Sequence, residues 1–426
     1  MKALTKKMSH EEVLTLPKEK YYKPLKQHRF WRWLMKFLSS FELKAINFEH
    51  KEYGMEKIAK NEPCLVLMNH CSFIDLEIGA TLLADRPFNV IVTLDAMMGK
   101  GLLMRLIGCI PTKKFVTDTR LVKSMLYCVK ELKQSVLMYP EAGYSFDGTA
   151  TTLPDSLGSC IKLLGVPVVM IETHGAFTRN PLYNNLRRRK VQVTADMKYI
   201  LSPEEISEKT VSEINEIIRG HFSFDYFRWQ QENQIAITEK YRAEGLNRVL
   251  YKCPNCLTEG KMEGEGIHLE CTACHKKYEL DEYGFMKAVE GETEFSHIPD
   301  WYRWERECVK KEIQDGTYHL DLPVNICMLV NSKCLYDIGE GRLIHTEEGF
   351  RIEDFSGNTY FNQKPSATYT LNSDYYWYEI GDVIGLGDSK ALYYCFPQGA
   401  KDVVAKARLA TEEMYKIAKG TRVKRV

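Results

Sequence analysis

From about residue 45 to 220, short runs of consecutive apolar residues alternate with stretches in which apolar positions recur every three or four residues. Cys64-Leu-Val-Leu-Met68 predicts a strand before a helical pattern over 72–83, and Ser135-Val-Leu-Met-Tyr139 predicts another after a helical pattern near 121–133. Further strands are expected at 89–94, 166–171 and 191–193. Strands alternating with helices imply an α/β domain, a mixed sheet flanked by helices, over 45–220. Upstream, Phe30, Trp31, Trp33, Leu34, Phe37, Leu38 and Phe41 recur at helical spacing between 27 and 42, with Arg29, Arg32 and Lys36 on the other side. That pattern predicts a basic amphipathic helix. Its aromatic face either packs on the protein's own core or lies in a bilayer interface, and Trp beside basic residues favours the interface.

Residues 1–24 are charged and broken by Pro17 and Pro24, so 1–44 read as a surface-lying lead-in followed by that helix. Residues 221–250 read as a connecting segment, aromatic and then helical, 251–285 as a Cys-rich insert, and 286–317 as a linker with a Trp-rich stretch. From 318 to 420, β-formers alternate with turn signals such as Gly339-Glu-Gly and Ser356-Gly-Asn, and one helix closes the segment from about Ala400 to Ala418. Several strands followed by a single helix is the order of a pleckstrin-homology-like barrel, shared by other α+β modules.

Composition narrows the partners. Lys and Arg number 58 against 57 for Asp and Glu, a formal charge of +1, so no global field points to nucleic acid. No run of about 18 apolar residues predicts a spanning helix. The opening residues lack the apolar stretch and cleavage site of a secretory leader. Thirteen cysteines then read as reduced thiols, close pairs among them as metal ligands. The expectation is a cytoplasmic protein, peripheral to the cytoplasmic face of a membrane.

Candidate chemistry centres on Asn69-His-Cys-Ser-Phe-Ile-Asp75, between a predicted strand and a predicted helix. His70 can act as a general base if a carboxylate fixes its tautomer, and Asp75 can do so only if the chain bends, because positions five apart on a continuous helix diverge by about 140°. The same residues also spell a capping box, with Ser72 as N-cap and Asp75 three positions on. Cys71 invites a Cys-His nucleophile, although adjacent loop side chains usually diverge.

The run resembles the first motif, Asn-His-x-Ser-x-x-Asp, of the lysophosphatidate (1-acylglycerol-3-phosphate) acyltransferase family. Three further blocks follow in that family's order: Gly108-Cys-Ile-Pro-Thr-Lys-Lys-Phe115, Tyr139-Pro-Glu-Ala-Gly-Tyr-Ser145 and Gly165-Val-Pro-Val-Val169. The resemblance covers roughly 25–220. It implies that His70, oriented by Asp75, takes a proton from a lysolipid hydroxyl attacking an acyl thioester, carried by coenzyme A or acyl-carrier protein, with N–H groups near the His holding the oxyanion. It implies substrate contacts at Lys113, Lys114, Glu141, Gly143 and Ser145, with Glu141 binding acceptor hydroxyls or organising its loop. Tyr144 stands where the family has an Arg suited to phosphate, so the acceptor can differ from lysophosphatidate. A lipid-binding scaffold with altered catalysis is the alternative that Tyr144 leaves open. The basic run Arg187-Arg-Arg-Lys190 reads as a solvated face or a site for anionic headgroups or carrier phosphates, and His174 as a core-edge residue.

Cys253-Pro-Asn-Cys256 and Cys271-Thr-Ala-Cys274 are two knuckles at zinc-ribbon spacing. Four thiolates make a closed, structural Zn2+ site. His268 and His275 are surplus to it.

Overall fold

The computed structural model describes residues 4–116, 118–399 and 402–423. A short strand, β1 (Thr5–Lys7), precedes the helix His10–Thr15, whose Ser9 and Glu12 cap it reciprocally. β1 pairs in parallel with Leu335–Asp337, more than three hundred residues on, Val13 is buried, and His10 stacks on Tyr360 at 4.3 Å. The lead-in, expected to lie on the surface, is strapped to the C-terminal module.

The α/β sheet contains β2 (Glu49–Tyr53), β3 (Leu65–Met68), β4 (Phe88–Thr93), β5 (Cys109–Thr112), β6 (Ser135–Met138), β7 (Val168–His174) and β8 (Thr194–Leu201), in the order β2-β8-β7-β3-β6-β4-β5. All neighbours are parallel except β7 and β8, so the sheet is mixed. Alternation along β3 sends Val66 and Met68 into the core on one face and Leu65 and Leu67 into that on the other. Helices Thr119–Tyr127, Ser156–Leu164 and Val211–His221 cover the second face. Leu67 lies opposite both Met138 and Met170, so the loops after β3, β6 and β7 emerge side by side.

Two sequence readings shift here. Val191 and Val193, expected in a strand, are buried loop residues, and β8 begins at Thr194. The segment 222–250 holds only one short α-helix, Tyr226–Glu232, before a turn-rich stretch.

The Cys-rich insert forms a four-stranded antiparallel ribbon of β9 (Met262–Glu265), β10 (His268–Cys271), β11 (Lys277–Leu280) and β12 (Met286–Ala288). The expected linker after it contains the 17-residue helix Ile298–Gln314. That helix buries Ile298, Trp301, Tyr302, Glu305, Val309 and Ile313, one face at helical spacing, and the Trp301 indole donates to Lys252 O at 3.0 Å.

The C-terminal β-rich region comprises β13 (Leu320–Leu329), β14 (Leu335–Thr346), β15 (Gly349–Glu353), β16 (Thr359–Gln363), β17 (Asn372–Trp377), β18 (Gly381–Gly387) and β19 (Leu392–Pro397), in the order β16-β15-β14-β13-β19-β18-β17. Helix Val403–Val423 follows; its expected start at Ala400 lies outside the described residues. It packs on Ile298–Gln314, where Arg306 donates to Glu412 (2.7 Å) and Glu413 (3.0 Å). One apolar core runs from Val66 and Met68 through Tyr251 and Trp301 to Ile326 and Tyr375, so the appended parts are built onto the α/β domain. Among the described residues no helix is long and apolar enough to cross a membrane.

Candidate active site

β3 ends at Met68, the chain turns through 69–73, and a helix runs over Ile74–Leu82. The turn resolves the five-residue problem. Asp75 Oδ2 lies 3.0 Å from His70 Nδ1 and accepts the N–H groups of Cys71 (2.6 Å) and Ser72 (3.0 Å). Capping and pairing are thus one geometry, with the carboxylate folded back over the turn that bends His70 toward it. Ser72 is not the side-chain cap: its hydroxyl is buried without a partner, as is Asp75 Oδ1. With Nδ1 facing the carboxylate, Nε2 is left as the proton acceptor. The Asp75 side chain is fully buried while that of His70 remains 25 % exposed, so the base is held from inside and open outside. Its ring sits between Tyr139 (4.3 Å, stacked) and Tyr144 (4.4 Å, tilted).

Two further side chains fix this turn. Glu141, in the loop after β6, accepts His70 N–H at Oε2 (2.9 Å), and at Oε1 the Thr151 N–H (2.9 Å) and hydroxyl (3.2 Å). Burial pushes its carboxyl up to about 7, against the hydrogen bonds, which favour the ionised form. Both oxygens are therefore engaged in organising the loop. Tyr226 is the residue that sequence reasoning missed. Its buried hydroxyl accepts from the Cys71 thiol (2.9 Å) and from Asn69 Nδ2, while Asn69 Oδ1 accepts Thr173 N–H (2.9 Å). Only the aromatic cluster at 222–229 hinted at it.

These contacts bear on the expected oxyanion site and on Cys71. The N–H groups of 70, 71 and 72 are bound to Glu141 and Asp75, so they do not form the expected oxyanion site. Cys71 is fully buried and burial pushes its thiol well above the usual range, which removes it as a nucleophile.

Residues 49–172 match the family model described as Acyltransferase. The chain carries an acyltransferase-family domain. Among solved structures it is similar to the 1-acyl-sn-glycerophosphate (LPA) acyltransferase PlsC of Thermotoga maritima, at 15% identity and a TM-score of 0.36, over 45% of this chain and 78% of that one. No curated protein matches by sequence.

The remaining candidate residues of the acyltransferase domain separate into two groups. Gly143 borders open space, and Tyr144 covers His70. Ser145 is fully buried, donating to Thr149 O (2.6 Å) and accepting from Gly148 N–H (3.0 Å), so it shapes the loop and does not face a substrate. In the second block Gly108 has φ 95°, and a Cβ there would sit 3.0 Å from Phe88 O. Lys113 donates to Ser389 O at 2.8 Å, and Lys114 is the main cation acting on buried Asp374, whose carboxyl burial raises to about 6. Of the basic run, Arg187 pairs with Glu244, Arg188 with Glu42 at 3.1 Å, and Arg189 is buried against Tyr183 and Asn184. Arg187, Arg188 and Lys190 stay exposed, and only Arg189 is buried. The C-terminal module supports the third block: Phe146 stacks on Tyr375 at 4.5 Å, and the Arg408 guanidinium lies over Phe146 at 4.4 Å.

Cys253, Cys256, Cys271 and Cys274 converge, their sulfurs all within 4.8 Å and the pairs 253–274 and 256–271 each at 3.7 Å. Tetrahedral ligands at about 2.3 Å from zinc stand roughly 3.8 Å apart, so the four thiols fit such an ion. A second cluster, Glu172, His174 and Asp196, already holds the Lys198 ammonium, 2.6 Å from Glu172 and 3.5 Å from Asp196. His174 there also stacks on Trp229.

Proposed function

We propose that the protein is an O-acyltransferase moving a fatty acyl group from an acyl thioester to a hydroxyl of a lysophospholipid such as 1-acylglycerol-3-phosphate. The observation that carries this reading is His70 Nδ1 held 3.0 Å from buried Asp75 within a domain of the acyltransferase family. Nε2 takes the proton of the acceptor hydroxyl as its oxygen bonds to the thioester carbonyl carbon, and Asp75 stabilises the imidazolium. Collapse breaks the C–S bond, and the imidazolium returns the proton to the leaving thiolate. The N–H groups of Gly143 and Tyr144, which no described residue accepts, are offered to the oxyanion.

Helix Arg29–Ala45 packs on the helix that begins beside Asp75 and turns Trp33 (59 % exposed), Leu38 (59 %) and Phe41 (63 %) outward. Phe73, three residues from His70, is 74 % exposed. An apolar face turned outward favours the interfacial over the core reading, so we read this side as peripheral to the cytoplasmic face of a membrane from which the acceptor is drawn. The four-Cys site is read as structural Zn2+, which would tie 253–256 to 271–274. The strand order, with β13 beside β19, and the single helix support a pleckstrin-homology-like reading of the C-terminal region.

Incubating the purified protein with labelled acyl-CoA or acyl-carrier protein and a panel of lysolipids should yield a diacyl product, identified by mass spectrometry. No acylated product from any pair would overturn the reading.

A further inference from the structure

A groove of about 590 Å³ lies along the β5 edge of the acyltransferase sheet, separate from His70. Residues 17–24, β5 with the helix Gly101–Leu106, the start of helix Thr119–Tyr127 and the turn 331–333 line it. Much of its lining is apolar, including Leu94, Met97, Leu102 and Ile110. The N-terminal segment contributes Lys18, Lys20 and Lys23, and the sheet side contributes Arg105, Lys113 and Arg120. Lys333 is a seventh cation, against two carboxylates, Glu19 and Asp118. Glu19 accepts Ser332 N–H (2.7 Å) and Asp118 accepts Arg120 N–H (2.8 Å), so both carboxylates also serve the backbone. Among the described residues none of the seven cations is ion-paired with a carboxylate.

A chain with formal charge +1 thus concentrates a large local excess of positive charge in one concavity. Burial holds the Lys113 ammonium below the usual range; Asp388 and Asp118 oppose that shift, and Lys18 and Arg120 add a smaller part to it. Aromatic rings accompany the charges: Tyr22 lies under the Arg105 guanidinium at 4.4 Å, and Tyr21 is exposed beside it. Unpaired cations, exposed rings and an apolar lining suit a phosphorylated nucleotide better than a lone phosphate.

Register sets the distance from the chemistry. Leu67 faces Met138, Val90 faces Leu137 and Ile91 faces Ile110, so the ends of β3 and β5, which His70 and Lys113 follow, stand at the same height on the sheet. Three strand spacings separate β3 from β5, roughly 14 Å. The phosphate of a lysophosphatidate lies only a few bonds from its reacting hydroxyl and falls short of that span. A pantetheine arm of a dozen bonds reaches about 15 Å.

We propose that this groove binds the phosphorylated nucleotide end of a coenzyme A thioester, the donor in the acyl-transfer reading on which this inference rests. Its phosphates meet Lys18, Lys20, Lys23, Lys113 and Arg120, its base stacks on Tyr21 or Tyr22, and the pantetheine arm carries the thioester toward His70.

The test is calorimetric binding of coenzyme A and of adenosine 3′,5′-bisphosphate to the full-length protein, its Lys20→Glu/Lys23→Glu and Arg120→Glu variants, and His70→Ala. These lysines and Arg120 are exposed, and unchanged melting confirms that each variant is folded. Binding of both probes should weaken with salt and fall roughly tenfold or more in the charge-reversal variants, while His70→Ala binds as the parent does. KM for acyl-CoA should rise in the same variants, with kcat reduced less. Unchanged coenzyme A affinity in both charge-reversal variants overturns the proposal, as does transfer from acyl-carrier protein with no coenzyme A binding. If coenzyme A binds in the groove and no lysolipid is acylated, the acyl-transfer reading fails and the groove assignment stands.

Discussion

Replacing Glu141 with Gln should stabilise the protein above neutral pH while impairing acyl transfer. Both carboxylate oxygens accept backbone N–H groups, from His70 and Thr151, at a fully buried position. Gln and neutral Glu present the same pattern, one pure acceptor and one atom bearing hydrogen, so the two proteins should be about equally stable near pH 4.5. Burial raises the Glu141 pKa from 4.5 to about 7. A raised folded pKa means that the native state binds the proton more tightly, so this contribution is complete below the unfolded pKa and is lost as pH rises through 7. Two and a half units correspond to roughly 3 kcal/mol, at about 1.4 kcal/mol per unit. Urea denaturation of parent and Glu141→Gln from pH 5 to 8.5 should show a difference that grows in favour of Gln up to pH 7 and then levels off. Activity should move the other way, because an ionised Oε2 no longer holds the His70 backbone, and a displacement near 1 Å can cost about a hundredfold in rate. A stability difference that does not change with pH, or full activity in the variant, would refute the reasoning.

Tyr226→Phe deprives the Asn69 amide and the Cys71 thiol of an acceptor in a buried site; a loss of about 1–2 kcal/mol in stability is expected, with lower kcat and little change in KM for either substrate. Cys271→Ser should abolish stoichiometric zinc measured by plasma mass spectrometry and lower the melting temperature, as should a strong chelator acting on the parent. Trp33→Ser with Phe41→Ser should weaken sedimentation with anionic vesicles while changing stability by less than about 1 kcal/mol, since both rings are exposed; unaltered vesicle binding would return this helix to a purely structural role.

The strands β3 and β6 were legible because each is a short run of apolar residues bounded by turns, and the sheet buries both of their faces. β8 was displaced by three residues because Val191 and Val193 are buried from a loop, which composition cannot distinguish from a strand. The helix Ile298–Gln314 was read as a Trp-rich linker because its apolar stripe is interrupted by charged residues and finds its partner surface only in the fold, at Lys252 and the terminal helix. At the site, His70 and Asp75 were readable because one turn contains both residues and the hydrogen bonds that shape it. Tyr226 was not, because its hydroxyl acts across more than 150 residues. The ion pairs of Arg187 and Arg188 were hidden for the same reason, since Glu244 and Glu42 are brought to them by tertiary packing, whereas Ser145 bonds within its own loop.

The central claim is that His70, oriented by Asp75, removes the acceptor proton. Single-turnover transfer from acyl thioester to lysolipid, measured for the parent, His70→Ala and Asp75→Asn, tests it most directly. A rate at least about a hundredfold lower in both variants, with the fold and donor binding retained, is the predicted result. Transfer by His70→Ala within tenfold of the parent would contradict the account.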